Sequence, residues 1–147
     1  MRIKRFSPKL ILTVVATVAT TLVVHADDKP TRAKVDASKL PPASDKQGLT
    51  YTADIKAIFE KSCTKCHGAD KQKAKLRLDS LADILKGGED GKILEPGHSA
   101  ESLLVASISC VGDEDDWMPP KNNKAKIPPL TPAQIGLIRA WIDQGAK

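Results

Sequence analysis

Apolar positions in this chain recur at helical spacing in several places and alternate over no long run. Ile55, Ile58, Phe59 and Ser62 share one face at i, i+3, i+4 and i+7, behind a polar start at Thr52 and Asp54. The spacing predicts a first helix ending near His67 and Gly68. A second is predicted from Thr131, Pro132 and Gln134, which place a capping hydroxyl, a proline at the first helical position and a glutamine two positions further in. Ile135, Ile138, Trp141 and Ile142 make its apolar stripe, Gly145 its stop, and Gly136 a point of close approach for another helix. Shorter helical pieces are expected from Ser80 to Leu85, halted by Gly87 and Gly88, and from Ser99 to Ile108. With no alternating run and no internal repeat, the pattern predicts an all-α chain.

The N-terminus follows a different pattern. Residues 10–24 form an apolar stretch of 15 residues behind Arg2, Lys4, Arg5 and Lys9, and Val24 and Ala26 place small residues where signal peptidase reads. A signal peptide over 1–26 is expected, with export to the periplasm. An uncleaved anchor facing the same compartment is the alternative, for which the stretch falls short of the ~20 apolar residues that span a bilayer. Residues 27–49 carry Pro30, Pro41 and Pro42 and no sustained period, so a flexible linker is expected there, with an ordered coil strapped onto the domain as the alternative. The folded domain is then 50–147.

Charge narrows the partners. The net charge of +5 falls to +1 once the four basic residues of 1–26 are removed, and the argument for nucleic acid or anionic membrane falls with it. What remains is uneven. Residues 29–77 hold 12 basic and 5 acidic side chains, whereas 78–116 hold 2 and 10. The first segment suits acidic-surfaced partner proteins, with ordinary solvated surface as the alternative. The acidic run 113–116 reads as a solvated loop, with cation binding as its alternative.

Three cysteines exclude a dense disulfide scaffold and a four-cysteine iron–sulfur cluster held by one chain. Two of them lie in Cys63-Thr64-Lys65-Cys66-His67, the CxxCH pattern. Cysteines three apart at a helix end lie on one side, so their sulfurs reach the two vinyl groups along one edge of a haem, and the adjoining imidazole reaches its iron. Such attachment needs reduced thiols handled outside the cytoplasm, which agrees with the expected export. A thioredoxin-like redox pair needs a strand–helix junction that the pattern lacks. Structural zinc would draw four ligands from Cys63, Cys66, His67, His98 and Cys110.

Beyond residue 26 the chain holds one methionine, Met118, and two histidines, His67 and His98. Met118 is the candidate sixth ligand, stiffened by Pro119 and Pro120, and a core-filling role is its alternative. His98 reads as a surface residue in a turn. Cys110, between Ile108 and Val111, reads as a buried free thiol or an intermolecular bridge.

Together these features resemble the planctomycete-type cytochrome c domains. The resemblance runs from about Tyr51 to Ala146. It rests on Ile58-Phe59 before CxxCHG, Leu76-Arg77-Leu78-Asp79-Ser80, Gly87-Gly88, Pro96-Gly97 with Ser102-Leu103-Leu104, Met118-Pro119-Pro120, and Trp141-Ile142-Asp143-Gln144-Gly145-Ala146. It implies a small, class I-like all-α fold, one covalent haem c on Cys63 and Cys66, and axial His67 and Met118. Cys110 and the acidic run stand outside the family pattern. The expected function is monohaem electron transport among redox proteins, without enzymatic activity. A peroxidase-like enzyme with a displaceable Met118 is the alternative from another class.

Overall fold

The C-terminal helix shows most directly how sequence becomes structure here. In the computed structural model, which describes residues 35–147, α4 (Pro132–Asp143) starts at a reciprocal capping box. The Gln134 backbone N–H donates to Thr131 Oγ1 at 3.3 Å, and the Thr131 N–H donates to Gln134 Oε1 at 2.9 Å. It ends in a Schellman turn: Gly145, at φ +97°, donates to the Ile142 carbonyl and Ala146 to that of Trp141. The expected stripe is buried, with Ile138, Trp141 and Ile142 fully so.

The N-terminal helical segment begins two residues earlier than its pattern suggested. Thr50 is the cap, its hydroxyl accepting from Ala53 N–H while Asp54 accepts from Thr50 N–H at 2.9 Å. A wide π-type turn over Tyr51–Ile55 puts the acid four residues beyond the cap rather than three, and α1 (Lys56–Ser62) follows. It stops about five residues short of the expected end. Both Cys63 and Thr64 donate to the Phe59 carbonyl, and the next turn is closed separately on Cys63. α2 (Leu81–Lys86) has the expected Ser80 cap and Gly87 stop. The expected piece over 99–108 is divided into a 3-10 turn, Ser99–Glu101, and α3 (Leu103–Ile108). At the break, Ser102 Oγ accepts from Glu95 N–H and donates to the His98 carbonyl, which holds the backbone extended. Among the described residues only isolated β-bridges occur, so the fold is all-α as expected.

Tyr51, Phe59 and Trp141 form one cluster, with ring centroids 6.2–6.5 Å apart. It joins α4 to the N-terminal helical segment. Full burial of side chains of this size stabilises a fold by about 1.5–3 kcal/mol each. Tyr51 Oη donates to the Leu78 carbonyl and Trp141 Nε1 to the backbone oxygen of Lys147, so neither polar group is stranded.

The expected linker 27–49 differs from expectation over its described part. Residues 35–49 form an ordered strap along α4, with Leu40 and Leu49 buried. Ser44 N–H donates to the Gly136 carbonyl at 2.9 Å, Gln144 Nε2 to the Lys46 carbonyl at 2.8 Å, and Arg139 to that of Pro41. Prolines that remove periodicity also stiffen an extended segment, and two leucines suffice to anchor it. The close approach at Gly136 is therefore made by this strap, not by another helix. A Cβ there would lie 2.6 Å from the Pro42 carbonyl oxygen. The expected signal peptide, residues 1–26, lies outside the described residues. Among the described residues no helix is long and apolar enough to cross a membrane.

Candidate functional site

The CxxCH segment is a single turn stacked on the end of α1. Cys66 and His67 both donate to the Cys63 carbonyl, at 3.0 and 2.9 Å, which turns the two thiols and the imidazole toward one side. Gly68 permits the tight exit, because a Cβ there would lie 2.4 Å from the Thr64 carbonyl oxygen. The chain then doubles back: Gly68 N–H donates to Lys71, Lys73 N–H to Cys66, and Leu78 N–H to the His67 carbonyl. This return loop also fixes the buried His67 ring, whose Nδ1 lies 3.1 Å from the Lys73 carbonyl oxygen. A carbonyl only accepts, so Nδ1 carries the proton and Nε2 keeps its lone pair. Burial pulls the His67 pKa below its ordinary value against the opposing effect of the Lys73 and Leu76 carbonyls, which favours the neutral, ligating form. Burial likewise pushes the Cys63 thiol up to about 12.

Met118 arrives from a distant part of the chain. Its backbone N–H donates to the Ser107 carbonyl at the end of α3, at 3.0 Å, and its side chain packs against the core. Cys63, Cys66, His67 and Met118 all line one cavity of about 670 Å³. Leu76, Leu78, Ile93, Leu104 and Ile108 supply apolar walls. The loop after Met118 closes another side and is organised by Asn123. This side chain donates to the Pro120 and Ile127 carbonyls and accepts from Ile127 N–H at 2.7 Å. Sequence reasoning missed Asn123, although an Asn amid Pro and Lys after a Pro-Pro step is a turn signal. The cavity margin carries Lys65, Lys71, Lys73, Lys92 and Lys124 against Glu89, Asp90 and Asp116.

The remaining candidates lie elsewhere. His98 is exposed and does not line this cavity, and Cys110 lines a separate one of about 280 Å³ beside Trp117. All three cysteines are free. Among the described residues no group of three or more His, Cys, Asp or Glu side chains converges on a metal-sized site, and His98 and Cys110, from which the zinc alternative would draw, do not line the cavity of Cys63, Cys66 and His67. The cysteine pair also follows a helix instead of joining a strand to one, against a thioredoxin-like arrangement.

Residues 63–122 match the family described as Planctomycete cytochrome C. Residues 63–122 thus carry the signature of a planctomycete-type cytochrome c domain. The match opens on Cys63 and includes Met118, so all four cavity-lining candidates fall inside it, and it marks the chain as a haem c-type cytochrome. No curated protein and no solved structure matches the chain. The cavity fits the group that the cytochrome family implies. Its volume lies in the ~300–1,000 Å³ range of cofactor sites, its walls are largely aliphatic, and two thiols, an imidazole and a thioether converge on it.

Proposed function

We propose that this protein is a monohaem electron carrier of the periplasm, with the haem joined to Cys63 and Cys66 and its iron ligated by His67 and Met118. The observation that carries this reading is the convergence on one largely apolar cavity of a CxxCH turn and a methionine 51 residues further along the chain. When bound, haem c supplies reversible one-electron chemistry at iron.

The chain's own residues set how that chemistry is used. Cys63 and Cys66 tether the group through thioethers, so it is retained through oxidation and reduction. His67 presents Nε2, its ring locked through Nδ1 by the Lys73 carbonyl. Met118 contributes a soft thioether that favours the reduced state more than a second nitrogen ligand does. The aliphatic walls exclude water, which keeps reorganisation on electron transfer small. If His67 and Met118 both ligated the iron, no position would be left for a substrate, which favours a carrier over an enzyme. The partners are other redox proteins, without nucleic acid. Export through residues 1–26 supplies the compartment in which CxxCH attachment proceeds, and after cleavage the chain has no stable membrane insertion.

The deciding experiment is absorption spectroscopy of the full chain expressed with export and haem-attachment machinery. A low-spin spectrum, haem that resists acid-solvent extraction, and the weak red-edge sulfur-to-iron band in the ferric state are expected. Extractable haem or a colourless protein overturns the reading.

A further inference from the structure

The segment that carries Met118 is held differently from the walls around it. Met118 N–H donates to the Ser107 carbonyl, and the next bonded backbone donor is Asn123, which reaches back to Pro120. Pro119 and Pro120 have no N–H, and among the described residues Lys121 and Asn122 donate no backbone bond. Nor is the segment packed on both sides. Pro119, Pro120, Asn123 and Ile127 line the cavity of about 670 Å³ and also the separate one of about 280 Å³, so they form a wall between two open spaces. Trp117 lines the second cavity, and among the described residues its buried Nε1 has no hydrogen-bond partner, so the indole supplies no polar anchor. What joins the segment to the turn before it is Lys121. Its Nζ donates to Glu114 Oε2 at 2.8 Å and lies 4.8 Å from the centre of the Trp117 ring. Glu114 is placed for this by the 3-10 turn Glu114–Asp116, where the Asp113 carboxylate accepts from Asp115 N–H at 3.0 Å and the Glu114 carbonyl accepts from Trp117 N–H. The lysine thus reaches back past Met118 to the acidic run.

Resting on the ligation by His67 and Met118 proposed above, we propose that Glu114 and Lys121 form a latch that keeps the Met118 thioether on the iron. Neither side chain lines the cavity of the cysteine turn, so both are positioning residues that act through the backbone on either side of Met118. Both are more than half exposed, at 63% and 62%, which makes the pair weak and open to screening by salt. A weak latch biases an opening equilibrium instead of blocking it. A ligand that binds only the open form has its apparent affinity reduced by the fraction of molecules that are open, and breaking the latch raises that fraction. The acidic run, which stands outside the family pattern, thereby acquires a role beside the axial methionine.

The test titrates the ferric holoprotein with imidazole at about pH 8, where free imidazole is uncharged. Its nitrogen bonds the iron as the Met118 sulfur leaves, and the red-edge sulfur-to-iron band disappears. One neutral ligand replaces another, so the charge at the iron is unchanged and the affinity reports opening of the loop. Glu114→Gln and Lys121→Gln should each raise the imidazole affinity about two- to fivefold, the range that an exposed pair supports. The effect of Lys121→Gln should be the larger, because it also vacates the face of Trp117. Exchanging the pair, Glu114→Lys with Lys121→Glu, should bring the affinity back toward the wild-type value. Asp115→Asn removes the same charge one residue along, outside the pair, and should change nothing. Added salt should raise the wild-type affinity and leave that of Glu114→Gln nearly constant. Equal effects of Glu114→Gln and Asp115→Asn, or an exchanged pair that binds imidazole as tightly as the single variants, overturn the latch while the ligation stands. A wild-type ferric protein that lacks the band fails the ligation reading itself, before any imidazole is added, and the latch falls with it.

Discussion

The Nδ1 atom of His67 lies 3.1 Å from the carbonyl oxygen of Lys73, and the backbone N–H of Lys73 donates to the Cys66 carbonyl at 3.0 Å. One residue thus orients the His67 ring and closes the return loop, entirely through its backbone. Its ammonium group remains exposed at the cavity margin. Ring orientation and surface charge are therefore separable at Lys73, and a charge-reversing substitution there changes the field without releasing the imidazole.

Ligation and attachment should separate in Met118→Ala. No other methionine beyond residue 26 offers a thioether, while the bond from residue 118 N–H to the Ser107 carbonyl is a backbone bond that the variant keeps. The haem should stay covalent, the red-edge charge-transfer band should vanish, and the reduction potential should drop by something on the order of 0.1 V, a fraction of the range that axial ligands span. Redox titration checks this. An unchanged potential and ferric spectrum would remove Met118 as the ligand.

Gly68→Ala tests how tightly the cysteine turn is built. The added Cβ would meet the Thr64 carbonyl oxygen at 2.4 Å, and that oxygen belongs to backbone that moves only if the whole turn shifts. A loss of about 1–3 kcal/mol in stability is expected, as for other overpacked sites, together with reduced haem loading. The ratio of haem to protein absorbance and a denaturant titration measure both. Wild-type loading with wild-type stability would show that the turn has slack.

What the sequence made legible was whatever depends on neighbouring residues. Thr131 and Gln134 announce a capping box because both partners lie within one turn, and Ser80 with Gly87 marks both ends of α2 for the same reason. CxxCH places its three side chains together through local bonds alone. The strap was less visible, since Leu40 and Leu49 acquire meaning only when α4, some 90 residues later, offers a surface for them. The early end of α1 was also hidden, because the Phe59 carbonyl accepts from both Cys63 and Thr64. Helical periodicity does not report such a break. Asn123 bonds to groups within four residues of itself, so its loop-forming role was readable and was missed.

Acid should weaken the Arg77–Asp79 pair with a definite sign. Arg77 donates to both Asp79 oxygens, at 3.0 and 2.7 Å, and these hydrogen bonds hold the carboxyl below its ordinary value of 3.8. Because the folded pKa is depressed, the contribution is fully present above that value and is lost as pH falls through the folded one. Asp79→Asn should therefore flatten the stability profile as pH falls through and below the ordinary carboxylate range, with little change at pH 7 beyond the loss of a half-buried surface pair. Denaturant midpoints across that window check it, and a parallel decline in both proteins would assign the acid sensitivity to other carboxylates.

Gly136→Ala sets helix propensity against the strap. In an isolated helix the substitution is favourable by about 1 kcal/mol, since glycine loses more backbone freedom on folding. Here the new Cβ would lie 2.6 Å from the Pro42 carbonyl oxygen, and Ser44 N–H already donates to the Gly136 carbonyl at 2.9 Å. The strap must lift, weakening the Ser44 bond and the bond from Arg139 to the Pro41 carbonyl. Overpacking of this kind costs about 1–3 kcal/mol, so the net effect should be a melting temperature lower by a few degrees, with faster proteolysis within 41–48. The haem spectrum should not change, because no strap residue lines the cavity. A higher melting temperature with unaltered proteolysis would mean that α4 gains its helix propensity at no expense to the strap, and that the strap does not bear on Gly136.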